Sequence, residues 1–489
     1  MRCIECEEIE LARVSDERPI QTMALPHAAL DGFPAGRRPG DLTRRRLLQF
    51  GVAGLASVYG PKALGWESVW ESVAAEAALD QNCLVLLYLA GGNDGLNTLV
   101  PNGADDYAAY VAARSAIHRL QGPTAGGRIG STPLAGDAGD LLAFANVVVS
   151  GGNGDSRGLD TLYADDALAI MPAVDALPYS LSHFDNSDIW FKASHDLNVK
   201  TGWLGRWIDR NGSADNPLQA ISIDTALSKS IRTATKPVCA IPSLNSLGFR
   251  MSAPGGVSNT NVNAQMQALA GLPAAAHNAY LARARGTYGV AVETHQRSLA
   301  AGAFVEGADY PTGTLGSRLK LAAHLLAANL GTRIITIHWG GFDTHSGQLA
   351  SQDGQLSELS RALAAFRADL QARGVEDRVC TLVFSEFGRR VAENGSAGTD
   401  HGAGGLMLAM GSKVRGGLAS VWPGCRPQDL VPANNAAQGN LKVPTDYRSV
   451  YRSVIEEWLD DDPDAIIGGA PIAPLLRGDG AAGRALFDA

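Results

Sequence analysis

The chain of 489 residues is 45% hydrophobic and 19% charged, and its formal net charge is -9 at pH 7. This composition is ordinary for a globular protein with a large core and excludes a largely disordered chain. Because no Lys/Arg-rich stripe occurs outside the N-terminal segment, we expect no nucleic acid partner. No run has the length and clean flanks of a membrane-spanning helix, so we expect no transmembrane anchor in the mature chain.

The six cysteines show no zinc-ribbon or disulfide-framework spacing beyond one Cys-x-x-Cys near the N-terminus. Cys83 and Cys380 lie in apolar runs, so we expect both in the core. Cys239 and Cys425 flank loops and would be able to pair in an oxidising compartment.

Residues 1–78 are predicted to be a leader. The motif TRRRLLQ at residues 43–49 is followed directly by the apolar run FGVAGLASVYG. This order resembles a twin-arginine export signal, and the alternative is a basic amphipathic surface helix. We therefore expect a periplasmic or secreted protein that is exported already folded. The length of the segment before the arginines makes Met23 a second candidate for the first residue.

The first predicted strand covers residues 83–89, CLVLLYL, and the turn Gly-Gly-Asn-Asp-Gly that follows it presents Asp94. A helix is predicted over 107–119, and a helix that leads into a short strand over 159–170. Ser182 then occupies the position of a helix N-cap. A hydroxyl there either caps the helix or serves as a nucleophile beside free N–H groups.

A helix begins in residues 202–209, and from about 211 to 307 the sequence becomes rich in Ala, Asn, Ser and Gly. Most of 265–303 has a helical pattern, so we predict a helical cap inserted beside the sheet. Its histidines, His277 and His295, are expected at the surface.

An amphipathic helix over 315–330 leads into the strand 333–339, RIITIHW, as in a βαβ unit. That strand ends in Gly-Gly-Phe-Asp-Thr-His, which places Asp343 and His345 after it. The pattern of an apolar strand followed by glycines and an acid is the same as at the first strand.

Residues 356–374 predict another helix, and residues 380–384 predict a strand that ends at Glu386. A Gly-rich turn then brings Asp400 and His401 next to each other. One more strand is predicted over 406–411, and a closing helix over 447–460.

These strand ends and the loop place carboxylates and imidazoles at one edge of a parallel sheet, where α/β enzymes hold their ligands. Such groups would repel each other unless a cation neutralised them, so the pattern predicts a divalent metal. Mixed oxygen and nitrogen ligands favour Zn²⁺ or Mn²⁺ over Ca²⁺ or Mg²⁺. The predicted metal ligands are Asp94, Asp343, His345, Glu386, Asp400 and His401.

A metal site of this kind would hold a small anionic ester substrate. Ser182, or a water activated by the metal, would then attack it. Asn93, His183 and Arg389 are the residues predicted to bind the substrate, with Arg390 as an alternative anion clamp. In the purely structural alternative, Glu386 caps a helix or pairs with an arginine, and Asp400 and His401 are ordinary loop residues.

Six segments together resemble the DUF1501 family of exported bacterial proteins and occur in family order over residues 80–462. They are LVLLYLAGGNDGLNTLVP, SHFDNSDIW, GWLGRWID, GTRIITIHWGGFDTHSGQ, VFSEFGRRVAENGSAGTDHGAGG and TDYRSVYRSVIEEWL. That family is similar in fold to the alkaline phosphatase and sulfatase superfamily. The resemblance implies an α/β fold, a three-layer sandwich with a mostly parallel central sheet and a helical cap insertion, formed by residues 79–489 as a single domain.

The resemblance also assigns individual residues. Asp94 corresponds to the metal Asp after the first strand, and Asp343 with His345 to an Asp/His pair after a later strand. Glu386 stands at the strand end that carries Asp-His-Gly in the hydrolases, and His401 stands at their late histidine.

Three departures separate this chain from the hydrolases it resembles. Phe387 stands where those enzymes have a metal-binding histidine, and Asp343 and His345 are closer together than usual. The sulfatase motif Cys-x-Pro-x-Arg is absent from the sequence. We therefore expect an exported metal-dependent hydrolase of phosphate or sulfate esters, or a catalytically degenerate envelope binding protein of the same fold.

Overall fold

A computed structural model describes residues 81–214, 216–243, 307–431, 439–468, 475 and 486–487. The predicted leader, with its motif at residues 43–49, lies outside these residues. So does most of the predicted cap, including His277 and His295. These predictions are therefore not addressed by the structure.

The described helices are α1 (Ala104–Ala113), α2 (Leu159–Ala164), α3 (His183–Lys192), α4 (Trp203–Asn211), α5 (Thr314–Ala327), α6 (Gln348–Ala372), α7 (Tyr447–Ser453) and α8 (Pro463–Ile467). A π-helix, Val454–Trp458, continues α7. The strands are β1 (Cys83–Ala90), β2 (Leu99–Pro101), β3 (Ser131–Pro133), β4 (Leu142–Ala145), β5 (Leu168–Asp175), β6 (Ala220–Ser222), β7 (Cys239–Ala240), β8 (Ile334–Gly340), β9 (Val379–Phe384), β10 (Gly388–Arg389), β11 (His401–Gly402), β12 (Gly405–Met410), β13 (Gly417–Leu418), β14 (Leu430–Val431), β15 (Asn440–Leu441) and β16 (Thr445–Asp446).

Among the described residues, the central sheet has nine strands: eight follow the order β13-β5-β12-β9-β1-β8-β6-β7, and the ninth, β16, pairs with β5. Neighbouring strands are parallel except around β12, which is antiparallel to both β5 and β9. The prediction of an α/β protein with a mostly parallel central sheet is thus confirmed. Smaller sheets pair β2-β4-β3, β10-β11 and β14-β15.

Strand β1 runs through the middle of the sheet because both of its faces are apolar. Val85, Leu87 and Leu89 belong to one buried cluster, which also contains the apolar side chains of α5 and α6. The alternate side chains, among them Leu84 and Leu86, belong to a second cluster with the aromatic residues of α3, α4 and α7. Because side chains alternate between the faces of a strand, helices cover the sheet on both sides. Each fully buried Leu contributes about 1.5–3 kcal/mol.

Parallel pairing brings the ends of three strands together. In β1, Leu84 lies opposite Ile334 of β8 and Cys380 of β9, and both neighbours run in the same direction. The segments that follow these strands therefore leave from one edge of the sheet, as the sequence predicts.

Some element bounds differ from the prediction. Helix α6 begins at Gln348 instead of 356, because its first turns bury the polar side chains of Gln348 and Gln352, which no hydrophobic pattern marks. The chain predicted as helix over 107–119 leaves the helix after Ala113. The start of the predicted insertion extends the sheet, since β6 pairs with β8 and β7 pairs with β6.

Cys239 and Cys425 are free thiols in this structure. In the described part of the chain, every helix is too short or too polar to cross a bilayer.

Candidate metal centre

Three imidazoles surround the carboxylate of Asp343. Its Oδ1 lies 3.0 Å from Nε2 of His345 and 3.2 Å from Nε2 of His401, and its Oδ2 lies 3.6 Å from Nε2 of His183. Ligand atoms of His183, Asp343 and His401 all lie within 4.8 Å of one another. The Nε2 atoms of His345 and His401 are only 3.0 Å apart. These four side chains form the candidate metal centre.

The centre is assembled from three separate parts of the chain. Asp343 and His345 follow β8, and His401 is the first residue of β11, which pairs with β10. His183 is the first residue of α3. It was predicted as a substrate-binding residue and not as a ligand, because it follows no predicted strand. Its neighbour Ser182 was the only local signal in the sequence.

Each histidine is held at its other ring nitrogen by an oxygen. Nδ1 of His183 lies 2.7 Å from Glu386 Oε1, and Nδ1 of His345 lies 3.2 Å from Asp400 Oδ1. Nδ1 of His401 lies 2.8 Å from the backbone carbonyl of Leu181, which can only accept. With its proton at Nδ1, an imidazole offers Nε2 as a lone-pair donor, which is how metal-binding histidines are usually oriented.

The electrostatics of the centre favour an anionic Asp343. Burial raises the pKa of this carboxyl, but hydrogen bonds from the three histidines and the charge of Arg389 outweigh burial and hold its pKa well below the usual range. Burial lowers the pKa of His183, but Asp343 and Glu386 more than compensate and raise it to about 9. Burial lowers the pKa of His401, and this change dominates.

The donor atoms are close enough together to share one metal ion. Two nitrogens bound to one zinc ion at about 2.0–2.1 Å lie roughly 3 Å apart, close to the separation of the His345 and His401 Nε2 atoms. Two lone pairs that face each other at this distance repel unless a proton or a cation lies between them.

Residues 250–425 match the family model described as "Protein of unknown function (DUF1501)". No curated protein matches the chain. The DUF1501 match includes Asp343, His345 and His401, whereas His183 lies before its first residue. The match therefore covers three of the four side chains of the centre.

Within the DUF1501 match, Glu386 is a hydrogen-bond acceptor that holds neighbouring parts of the site. It is 1% exposed, and its carboxylate accepts the N–H groups of Gly91 at 2.9 Å and Gly92 at 3.2 Å as well as the Nδ1–H of His183. Gly91 has a φ of +117°, and a Cβ there would lie 2.4 Å from the backbone nitrogen of Asp343. Only glycine permits this close passage.

Arg389, also inside the DUF1501 match, contacts Asp343 from the interior of the protein and is 2% exposed. Its guanidinium donates to Asp343 Oδ1 at 2.7 Å and to the carbonyls of Gly92 at 2.8 Å, Thr399 at 2.8 Å and Phe342 at 3.0 Å. These contacts are those of a residue that positions Asp343 and the surrounding loops. Its predicted contact with a substrate stays a prediction.

Asp94 lies apart from the candidate centre. Its carboxylate accepts hydrogen bonds from the Arg114 guanidinium at both oxygens, at 2.5 and 3.0 Å, and from Gln348 Nε2 at 2.6 Å. The side chains of Asp94 and Arg114 are 1% and 0% exposed. A buried guanidinium thus supplies the positive charge that the sequence assigned to a metal. Arg114 was missed because it follows a surface helix and no local pattern connects it with Asp94.

The remaining predicted residues have distinct surroundings. Ser182 is the N-cap of α3 and accepts from the N–H of Asp185, as its position in the sequence predicts. The Asn93 amide is buried and contacts Thr98. Asp400 contacts Nδ1 of His345, the ring nitrogen that faces away from Asp343. Burial raises its pKa, but hydrogen bonds from Asn394 and His345 outweigh burial and lower it.

Phe387 forms the apolar side of the centre. It is fully buried, and its ring centroid lies 4.8 Å from that of His183 and 4.5 Å from that of His401. The side chain therefore restricts the orientation of both imidazoles.

Proposed function

We propose that the protein is an exported, metal-dependent hydrolase of phosphate or sulfate esters. The observation that carries this proposal is the convergence of three imidazole Nε2 atoms on Asp343, with each Nδ1 held by an oxygen. His183, Asp343, His345 and His401 are the proposed ligands.

Access to the centre supports a reactive site. The side chain of Asp343 is 31% exposed and that of His345 is 23% exposed, whereas the opposite side is closed by Phe387 and Arg389. Catalytic metal sites keep a coordination position for water or substrate, so with four protein ligands this exposed side would provide a fifth position. A divalent ion at this place would polarise an ester oxygen and promote deprotonation of the nucleophile.

Ser182 is the proposed nucleophile. The residue before it, Leu181, supplies the carbonyl that holds His401, and the residue after it is His183. Both sequence neighbours of Ser182 therefore contact the centre. Its hydroxyl lies at the start of α3, where free N–H groups favour negative charge. In the proposed reaction the Ser182 hydroxyl attacks phosphorus or sulfur, the P–O or S–O bond to the alcohol breaks, and the alcohol leaves with the proton of that hydroxyl. Water then hydrolyses the seryl ester, which releases the phosphate or sulfate product and restores the Ser182 hydroxyl.

The likeness to the alkaline phosphatase and sulfatase superfamily belongs to this proposal. It is supported by the mostly parallel sheet with helices on both faces and by acids that follow β8 and β9 at one sheet edge.

The leader sequence supports export. Replacing Arg44 and Arg45 by lysine should leave the unprocessed precursor in the cytoplasm, as cell fractionation would show. Normal processing of that variant would exclude the twin-arginine route.

A catalytically degenerate binding protein of the cell envelope is the second candidate. It is favoured by the Asp94–Arg114 ion pair, because Asp94 is a residue that the resemblance assigns to the metals. Under this alternative the centre still binds a metal, but the protein turns over no ester.

Elemental analysis of untagged protein, combined with turnover of phosphate and sulfate mono- and diesters, tests the proposal. We expect about one divalent transition metal per chain and metal-dependent hydrolysis. His401→Ala should lose both, whereas the matched control His118→Ala, a half-buried histidine outside the centre, should keep both. Metal binding without turnover of any ester would support the second candidate. Failure to bind metal would exclude both.

A further inference from the structure

The charges around the candidate centre limit the charge of its substrate. Three carboxylates, those of Asp343, Glu386 and Asp400, contact the three histidines. Two arginines lie against the same residues: Arg389 donates to Asp343, and Arg390 donates to the carbonyl of His401. With neutral imidazoles these five side chains have a formal net charge of -1, which a divalent ion changes to +1.

A substrate with one negative charge would neutralise this centre. A substrate with two would leave an excess negative charge beside Glu386, which is 1% exposed and therefore poorly screened by water.

The arginines of the centre are engaged with the protein. Arg389 contacts backbone carbonyls and Asp343 in a buried position. Phosphate monoesters, which are dianions near neutral pH, are commonly bound by the paired N–H groups of an exposed arginine. Recognition by the bound metal alone suits an anion with a single charge.

The segment that delivers His183 also has an apolar surface. Large apolar side chains that are exposed in the described residues include Leu177 at 42% and Phe184 at 40%. Phe184 follows His183 directly, in the first turn of α3. Exposed apolar side chains beside a ligand site commonly pack against an apolar part of the ligand.

We infer, on the basis of the function proposed above, that the substrate is a monoanionic ester with an apolar alcohol group: a phosphodiester or a sulfate monoester, and not a phosphate monoester. The metal held at the centre would bind the single charge, and Phe184 with Leu177 would contact the alcohol group.

Binding of three non-chromogenic ligands to the metal-loaded protein, measured by calorimetry at pH 8, separates charge from apolar contact. We expect diphenyl phosphate, an apolar monoanion, to bind most tightly. Phenyl phosphate, a dianion, should bind at least about tenfold more weakly. Dimethyl phosphate, a monoanion without apolar groups, should also be weaker. Tighter binding of phenyl phosphate than of diphenyl phosphate would overturn the inference.

Phe184→Ala tests the apolar contact, with Leu197→Ala, a similarly exposed residue at 43%, as the matched control. Phe184→Ala should weaken diphenyl phosphate by several-fold and leave dimethyl phosphate unchanged. Equal effects of both variants would overturn the assignment of Phe184.

Turnover of bis(4-nitrophenyl) phosphate, 4-nitrophenyl sulfate and 4-nitrophenyl phosphate, which share a leaving group, distinguishes the two proposals. Preference for the monoanions supports the inference and shows which ester class is used. Preference for 4-nitrophenyl phosphate overturns the inference but supports the hydrolase. No turnover, with the expected order of binding, contradicts the hydrolase and retains the ligand class.

Discussion

Glu386 and His183 are joined by a contact of 2.7 Å between Oε1 and Nδ1, and the opposite ring nitrogen of His183 faces Asp343. Because Nδ1 donates to the carboxylate, Nε2 is directed toward the centre. The Glu386 carboxylate accepts the buried N–H groups of Gly91 and Gly92 as well. Glu386→Ala would leave these N–H groups without an acceptor, which costs about 1–3 kcal/mol of stability.

We predict that Glu386→Gln lowers metal affinity by about 10- to 100-fold, because the amide holds His183 less strongly and does not favour the same ring orientation. Competition with a chelator measures this affinity. The control is Glu393→Gln, which changes a carboxylate bonded to Ser115 and to backbone N–H groups. Removal of a metal ligand itself would lower the metal affinity by a larger factor than Glu386→Gln does. Unchanged affinity in Glu386→Gln would show that the contact has no positioning role.

The stability of the metal-free protein should fall with rising pH. The pKa of His183 is about 9 in the folded protein, above its ordinary value of 6.5, so protonated His183 favours folding. This stabilisation is fully present below pH 6.5 and is lost as the pH rises through 9, with a slope of at most ~1.4 kcal/mol per pH unit for one proton.

Urea denaturation between pH 6 and 9.5, with and without chelator, measures this dependence. The metal-loaded protein should not show the loss, because a metal replaces the proton at Nε2. His183→Gln without metal should have a flatter profile than the unchanged chain. An identical slope in both would mean that another group is responsible.

Ser182→Asn should abolish ester turnover while the metal content and the fold remain. Asparagine accepts the N–H of Asp185 as an N-cap, so the start of α3 is preserved, but it has no hydroxyl to attack an ester. Ser182→Ala should lose turnover and, in addition, about 1 kcal/mol of stability. Activity in Ser182→Asn close to that of the unchanged protein would assign the attack to water.

Asp94→Asn should leave the metal content unchanged and lower stability, because Asp94 is bonded to Arg114 and Gln348. Arg114→Met should cost about 3–5 kcal/mol, since it leaves a buried carboxylate without its counterion. The combined variant should be less destabilised than the sum of the two, as thermal unfolding of the four proteins in a cycle would show. A loss of metal in Asp94→Asn would restore Asp94 as a ligand.

Much of the fold was predictable because β1, β8 and β9 are almost entirely apolar and are bounded by glycine turns. Their parallel pairing places Asp343 and Glu386 at the same edge, as expected from the order of strands and helices. Local sequence was enough for these elements, since hydrophobic burial and turn chemistry act over a few residues.

The roles of the carboxylates were less predictable. Asp94, Asp343 and Glu386 each follow a strand, yet one pairs with an arginine, one lies among imidazoles and one accepts backbone N–H groups. Side-chain direction and long-range partners decide among these roles, and strand pattern does not report them. For the same reason, the sequence did not identify Arg114 as the partner of Asp94 or His183 as a member of the centre.

The pairing of Leu84 with Ile334 and Cys380 has a kinetic consequence. Strands this far apart in the chain meet only after the large intervening loop has closed, so His183, Asp343 and His401 cannot be prearranged in a nascent or unfolded chain. Binding of a metal at the proposed centre would then follow the long-range steps of folding. Under the proposed export of the folded protein, the compartment of synthesis would determine which ion enters the centre.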